Sequence, residues 1–229
     1  MLDLHGFGDQ LLLGAWVTIQ LALCSLVVGL VLGLLGASAK LSNIRPLQWI
    51  ANLYTTVIRG IPELLTVLII YFGATSVLMS IASLFGYDEY IEIGPFAAGV
   101  TALGLTFGAY ATEVFRGALQ AIPRGQHEAA IVLGMGARRK FFRIILPQVW
   151  RVALPGIGNL FLVLLKDTAL VSVVGLEDIM RKANVAVGNT KEPFLFYMVA
   201  AFMYLGLTVV SMVVVSYLEK RASRGLVRG

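Results

Sequence analysis

Charge is what this chain has least of. Charged residues are 14% of its 229 residues, against about 25% in soluble globular domains. One cysteine leaves no intramolecular disulfide to form. With only two histidines, no Cys/His cluster has the spacing of a metal site. The 24 glycines follow no G-X-Y period and accompany no Pro-rich tract, which excludes collagen and disordered linkers. No segment reads G-x-x-x-x-G-K-[ST], so the chain has no phosphate-cradling loop of its own with which to hydrolyse ATP. The absence of H-E-x-x-H or any nucleophile–base constellation argues against an intramembrane enzyme.

What is present is hydrocarbon. Hydrophobic residues reach 58%, above the ~45–50% of globular proteins, and mean hydropathy is +0.84. Crossing roughly 30 Å of bilayer takes about 20 apolar residues. Runs 10–39, 64–87, 93–112 and 193–218 carry no charge, and 152–176 qualifies if Lys166 and Asp167 are accepted inside it. The sequence therefore predicts an all-α integral membrane protein with five transmembrane helices, near 11–36, 64–84, 94–115, 153–176 and 195–218. The first run is too long, and its flank too acidic, for a cleaved signal peptide.

Loop charge orients these helices. Asp3 and Asp9 precede the first run, and Asp88, Glu89 and Glu92 lie between the second and third. Lys40 and Arg45 follow the first run. Arg116, Arg124, Arg138, Arg139, Lys140, Arg143 and Arg151 crowd the long loop after the third, and Lys220, Arg221, Arg224 and Arg228 the tail. Retention of basic residues on the cytoplasmic side places the N-terminus outside and the C-terminus inside. The loop 177–193 dissents, with Arg181, Lys182 and Lys191 outside. The net charge of +5 is read as this surplus rather than as a nucleic-acid footprint, since no basic arm or finger motif accompanies it.

The long cytoplasmic loop, about 123–147, predicts two short helices. One runs from Gly125 to Leu133 behind Pro123 and ends at Gly134-Met135-Gly136. The other runs from Ala137 to Leu146, with Pro147 limiting its continuation. Arg138, Arg139, Lys140 and Arg143 alternate there with Phe141, Phe142, Ile144 and Ile145. Such a segment suits either a partner's groove or the surface of anionic lipid.

Within this loop, Glu128-Ala129-Ala130, then Gly134, then Ile144 to Pro147, resembles the EAA loop of ABC importer permeases. Arg59-Gly60-Ile61-Pro62-Glu63-Leu64-Leu65 resembles the RGxPxLV signature of the polar-amino-acid uptake branch. Gly108-Ala109-Tyr110 through Glu113 and Arg116-Gly117, Leu154-Pro155 and Lys166-Asp167-Thr168-Ala169-Leu170 are similar to its later helices. The resemblance spans essentially the whole chain and is nearest to HisQ-like permeases of histidine, arginine and opine uptake. Asp167 stands where some of these permeases have serine, and Leu-Leu-Thr follows Glu63 where Leu-Val-Gln is commoner.

The resemblance implies a type I importer permease fold in the bacterial inner membrane, with 1–10 outside, an ABC transmembrane domain over 11–218 and a cytoplasmic tail over 219–229. It also implies that Glu128, Ala129, Ala130 and Gly134 couple to a cytoplasmic ATPase dimer that binds and hydrolyses the ATP. A second permease subunit, a paralogue or an identical chain, and a periplasmic solute-binding protein complete the assembly it implies. This chain itself would be no enzyme and would need no cofactor.

An ionisable group inside a membrane costs about 2.5–3.5 kcal/mol at helix centre and normally faces a cavity or partner. Arg59, Glu63, Lys166 and Asp167 are such groups. Gly60 and Pro62 break the helix between the first two, and irregular backbone at membrane depth is tolerated where protein or a wet cavity covers it. Lys166 and Asp167 are about 100° apart on a helix and do not face each other. The four charges sum to zero, which suits an amphoteric guest. Arg59 is assigned to an α-carboxylate, Asp167 to an α-ammonium and Glu63 to a cationic side chain. The alternative is an ion-coupled carrier using Glu63 and Asp167; the absence of inverted halves argues against it. Glu113 and Arg116 are expected to pair, His5 and His127 to be solvated, Cys24 to be packed, and Gly29, Gly33 and Gly36 to mark close helix approach.

Overall fold

The computed structural model describes residues 4–84 and 93–223, without the side chains of 81 and 82. Expectations for 1–3, for Asp88, Glu89 and Glu92, and for Arg224 and Arg228 lie outside the described residues. Within them, every regular element is helical. The order is α1 (Gly8–Lys40), α2 (Arg45–Gly60), α3 (Glu63–Leu68), a π turn over Ile69–Gly73, α4 (Ala74–Leu84) and α5 (Pro95–Gln120). Then come α6 (Arg124–Val132), α7 (Ala137–Lys140), a π turn over Phe141–Ile145, α8 (Leu146–Asp167), a 3₁₀ stretch over Thr168–Val174, α9 (Ile179–Thr190) and α10 (Pro193–Ala222).

Four helical stretches are long and apolar enough to cross a membrane: Gly8–Lys40, Glu63–Ser80, Ala137–Val174 and Pro193–Ala222. The remaining expected span, 94–115, falls on α5, whose 26 residues extend about 39 Å at 1.5 Å per residue. Threonines and glycines dilute its apolarity, and it is the helix most enclosed by protein. It runs along α1 and touches α2, α3 and α8.

Small residues let α1 and α5 approach, as Gly29, Gly33 and Gly36 predict. A Cβ on Gly33 would lie 2.6 Å from Ala111 Cβ, and one on Gly36 would collide with Thr112. The contact is reciprocal: a Cβ on Gly104 would lie 2.8 Å from Val28 Cγ1, and one on Gly108 2.8 Å from Leu32 Cβ. In a bilayer the hydrophobic effect does not draw helices together, so close backbone packing of this kind is what holds them.

Several expectations are corrected. Residues 45–60, which lie between the first two expected spans, form a helix; Pro46 sits in its first turn, and Ala51 and Thr55 are buried against the bundle. The segment 177–193 is largely α9. Asp178 caps it by accepting from the Arg181 N–H at 2.8 Å, and Ile179, Ala183 and Ala186 are buried. Pro147 does not stop a helix. The π turn before it hands the chain straight into α8, where Pro147 occupies the first turn, and α8 also runs through Pro155. The π turn just before Pro147 loosens the regular hydrogen-bond ladder where the proline supplies no N–H. Cys24 is exposed on α1 rather than packed. His5 lies 3.5 Å from Glu192.

Two apolar clusters result. The larger joins α1, α5, α8 and the 3₁₀ stretch around Leu103, Phe107, Phe115, Ile157 and Val171. The smaller, around Leu11, Ile179, Ala183 and Phe196, fastens α9 between the starts of α1 and α10. Gly14 permits this: a Cβ there would lie 2.8 Å from the Asp178 carbonyl oxygen.

Candidate functional site

The site begins at a broken helix. α2 ends at Gly60, Ile61 is extended (φ −104°, ψ 134°), and α3 starts at Glu63 behind Pro62. Arg59 therefore occupies the last turn of one helix and Glu63 the first turn of the next. Each sign of charge sits where the helix dipole favours it.

Glu63 lines a cavity of about 270 Å³ with Thr106, Phe107 and Tyr110 of α5 and Leu160, Val163 and Asp167 of α8. Two carboxylates from different helices share this space, and among the described residues no Lys or Arg lines it. Lys166 is exposed and does not line the cavity, so the structure separates it from Asp167 as the helical angle predicts.

Arg59 borders a second cavity, of about 540 Å³, with Lys40, Thr55, Thr56, Gly60, Tyr110 and Glu113. Tyr110 is common to both cavities. The Arg59 guanidinium carbon lies 5.2 Å from the centre of the Tyr110 ring, a cation–π arrangement. In the second cavity Glu113 receives Lys40 Nζ at 2.6 Å and Arg116 Nε at 2.9 Å. The expected Glu113–Arg116 pair thus exists, with Lys40 of α1 as a third member. Tyr54 fixes α2 to α5 by donating to the Leu105 carbonyl at 2.7 Å.

Of the four candidate residues, Glu63 and Asp167 are brought together, Arg59 stands across Tyr110, and Lys166 points elsewhere. Thr106 and Tyr110 were not singled out as cavity residues. A usable signal existed for both, since they are four apart on α5 and therefore share one face.

The loop after α5 forms a separate feature. In α6, Glu128 and Ala129 are exposed while Ala130 is buried. Gly134 adopts φ +69°, which glycine reaches without strain. The Gly134 N–H donates to Ile131 O at 2.9 Å and the Met135 N–H to Ala130 O at 3.0 Å, closing the helix end. Ile131, Val132 and Leu133 are 61%, 86% and 77% exposed. Arg138, Arg139, Phe142 and Arg143 border a shallow hollow beside them. Apolar side chains are thus displayed beside arginines at the surface instead of being packed in a core.

A helical membrane bundle, a charged cavity between three of its helices and an apolar elbow outside them define a transport subunit. The chain belongs to the family described as binding-protein-dependent transport system inner membrane component, whose model matches residues 15–224. It is 46% identical over 224 residues to an octopine transport system permease protein, OccQ, of Rhizobium radiobacter, covering 98% of this chain and 94% of that one. It is likewise 46% identical to the histidine/lysine/arginine/ornithine transport system permease protein HisQ of Salmonella typhimurium, covering 98% of both. A solved amino-acid ABC transporter with histidines matches at 34% identity and TM-score 0.80, over 96% of this chain and 97% of that one. The MetNI methionine transporter, at 17% identity and TM-score 0.74, shares the fold. Family membership favours an ABC permease over the ion-coupled carrier.

Proposed function

We propose that this chain is the membrane-spanning permease subunit of an ATP-driven importer of basic amino acids or related opines. The observation that carries the substrate class is the pairing of Glu63 with Asp167 in a cavity that no Lys or Arg lines among the described residues. Inside a membrane, two carboxylates facing one cavity favour a cationic guest. The substrate names attached to the octopine and histidine/lysine/arginine/ornithine permeases agree with that chemistry.

In this reading Glu63 meets the cationic side chain and Asp167 the α-ammonium. Arg59 meets the α-carboxylate, for which its planar fork provides two parallel donors. Tyr110, touching both cavities, stands on the route between them. Lys166 receives no substrate contact here.

The chain supplies the pathway and no covalent chemistry. A cytoplasmic ATPase dimer grips the elbow at Glu128, Ala129, Ala130 and Gly134, and closure on ATP is transmitted through α6 and α7 into α8. An external binding protein delivers the solute, the N-terminus lies outside and the C-terminus inside.

Uptake of labelled arginine by the complex reconstituted with its ATPase and binding protein tests the assignment. Glu63→Lys is expected to abolish uptake while the complex stays assembled. Glu63→Gln is expected to lower it about tenfold or more, the loss of one charge-assisted contact. Normal arginine uptake by assembled Glu63→Lys complexes sinks the reading.

A further inference from the structure

Three helices leave an apolar groove of about 430 Å³ between them, walled by Ile19 and Leu30 of α1, Leu154 and Phe161 of α8, and Leu207 and Leu218 of α10. Phe161 lies two residues from Val163, which faces the carboxylate cavity, so the groove occupies the opposite side of α8. The walls from Ile19 to Leu30 and from Leu207 to Leu218 each extend about 16 Å, close to half of the ~30 Å hydrocarbon core. Among the described residues, only Ser211 and Trp150 bring polar side-chain atoms to the lining. One end of the groove is different. α8 and α10 meet at Gly158, where a Cβ would collide with Val215. The chain beyond α8 returns to the first half of α10, where Asp178 meets Tyr204. The two helices therefore run antiparallel, and Trp150 and Leu218 share an end. Arg151 precedes Gly158 by seven residues, about 10 Å along α8 and about 20° around it. Arg221 follows Val214 and Leu218 at seven and three residues, so it continues their stripe about 5 Å past Leu218. Among the described residues, neither arginine makes an ion pair within 4 Å, and the Trp150 indole makes no hydrogen bond. Glu219 is two residues from Arg221 and so on the other side of α10.

We propose that this groove is a binding site for an anionic phospholipid. One acyl chain lies between α1, α8 and α10, and Arg151 and Arg221 hold the phosphate. Hydrocarbon alone fills any apolar furrow in a bilayer, but the two guanidiniums at one end select the headgroup. Basic pockets between membrane helices bind anionic headgroups in this way, and the planar fork of arginine matches phosphate oxygens. The Trp150 indole, apolar in body and a donor at its tip, suits the ester region just below.

The test places the intact transporter in nanodiscs containing either phosphatidylglycerol or phosphatidylcholine with the same photoreactive diazirine tail, and maps the adducts by peptide mass spectrometry. At Leu26, Phe161 and Val214, which line the groove, phosphatidylglycerol is expected to label about tenfold more than phosphatidylcholine. At Val213, exposed on α10 outside the groove, the two lipids are expected to label equally. Arg151→Gln/Arg221→Gln is expected to remove the phosphatidylglycerol excess and leave phosphatidylcholine labelling unchanged, while Arg151→Lys/Arg221→Lys retains most of it. Equal labelling of the groove by both lipids overturns the proposal, since ordinary surrounding lipid would give that result. An excess that survives the glutamine pair overturns it too. So does a groove that takes no lipid adduct while Val213 does, because protein would then fill it. If the glutamine pair does not assemble, the two lipids compared on the unsubstituted transporter still decide.

Discussion

Two helices of this chain live in different solvents. α5 buries Ala98, Gly99, Ala102, Leu103, Gly104, Thr106, Phe107, Gly108, Ala109, Ala111, Thr112, Phe115 and Ala118, whereas α10, although longer, buries Phe196 and Ala200. The more hydrophobic helix is the less buried one. α10 presents Phe202, Leu205 and Val213 outward, because hydrocarbon is the medium they meet. α5 uses glycine, alanine and threonine, because α1, α8 and α3 must come close to it. Hydropathy thus measures exposure to lipid here, and helix–helix contact is written in small residues instead.

The largest expected effect lies on the α5 side of that contrast. Gly33→Val places a branched side chain where a Cβ alone would already lie 2.6 Å from Ala111 and 3.3 Å from Phe115. Neither the α5 backbone nor its buried side chains have room to retreat, and overpacking of this kind costs about 1–3 kcal/mol or more. Thermal unfolding of the purified complex in detergent is expected to show a large fall in Tm. An unchanged Tm would mean that α1 and α5 do not touch as closely as described.

The next effect tests what ties the C-terminal part of α5. Lys40→Met leaves Glu113 with Arg116 alone, and the Lys40 side chain is 10% exposed. The expected cost is about 1–3 kcal/mol, below the ~3–5 kcal/mol of breaking a fully buried pair because Glu113 retains one partner. The double variant Lys40→Met/Glu113→Gln is expected to recover part of the loss in the same unfolding measurement. If it recovers nothing, the two side chains act independently.

The same contrast explains which features could be read before the fold was known. Long charge-free runs announce α1 and α10 directly, and the break after α2 was legible in Gly60 and Pro62, which together disfavour a continuous helix. The turn at Gly134 was legible for a similar reason. α2 was hidden: Arg45–Gly60 is shorter than a membrane span, and Trp49, Ile50 and Leu53 remain exposed on its outer face. α9 was hidden by Arg181, Lys182 and Asn189, although Asp178 before Ile179, Ala183 and Ala186 spells a cap followed by one apolar face. In the cavity, charge made Glu63 and Asp167 conspicuous. Tyr110 and Thr106 became visible only when α5 was placed between α3 and α8.

A smaller effect concerns how the N-terminal half of α10 is held. Asp178 is fully buried beside Tyr204 of α10, whose hydroxyl lies 3.5 Å from its Oδ2. Burial pushes the Asp178 carboxyl up to about 6, against the partial relief of its backbone and Tyr204 hydrogen bonds. The folded protein therefore holds a proton that the unfolded chain, with an aspartate near the usual ~3.9, has released. Stability is expected to fall as pH rises from about 4 to about 6 and to gain no further slope from this group above that window. Asp178→Asn is expected to flatten that slope while its side-chain oxygen still caps α9. A slope unchanged in Asp178→Asn would assign the titration to another group.

The smallest effect is the sharpest check on the comparison. Val213→Leu alters a side chain that is 65% exposed in the middle of α10. Valine and leucine are equivalent in hydrocarbon apart from size, and leucine has the better helix propensity. The unfolding free energy is expected to stay within about 0.5 kcal/mol, the range of surface substitutions away from special contacts. A larger loss would mean that this face is packed against protein in the assembled transporter. The α10 surface would then belong with α5 among the contact-making helices, and the solvent argument for its composition would fail.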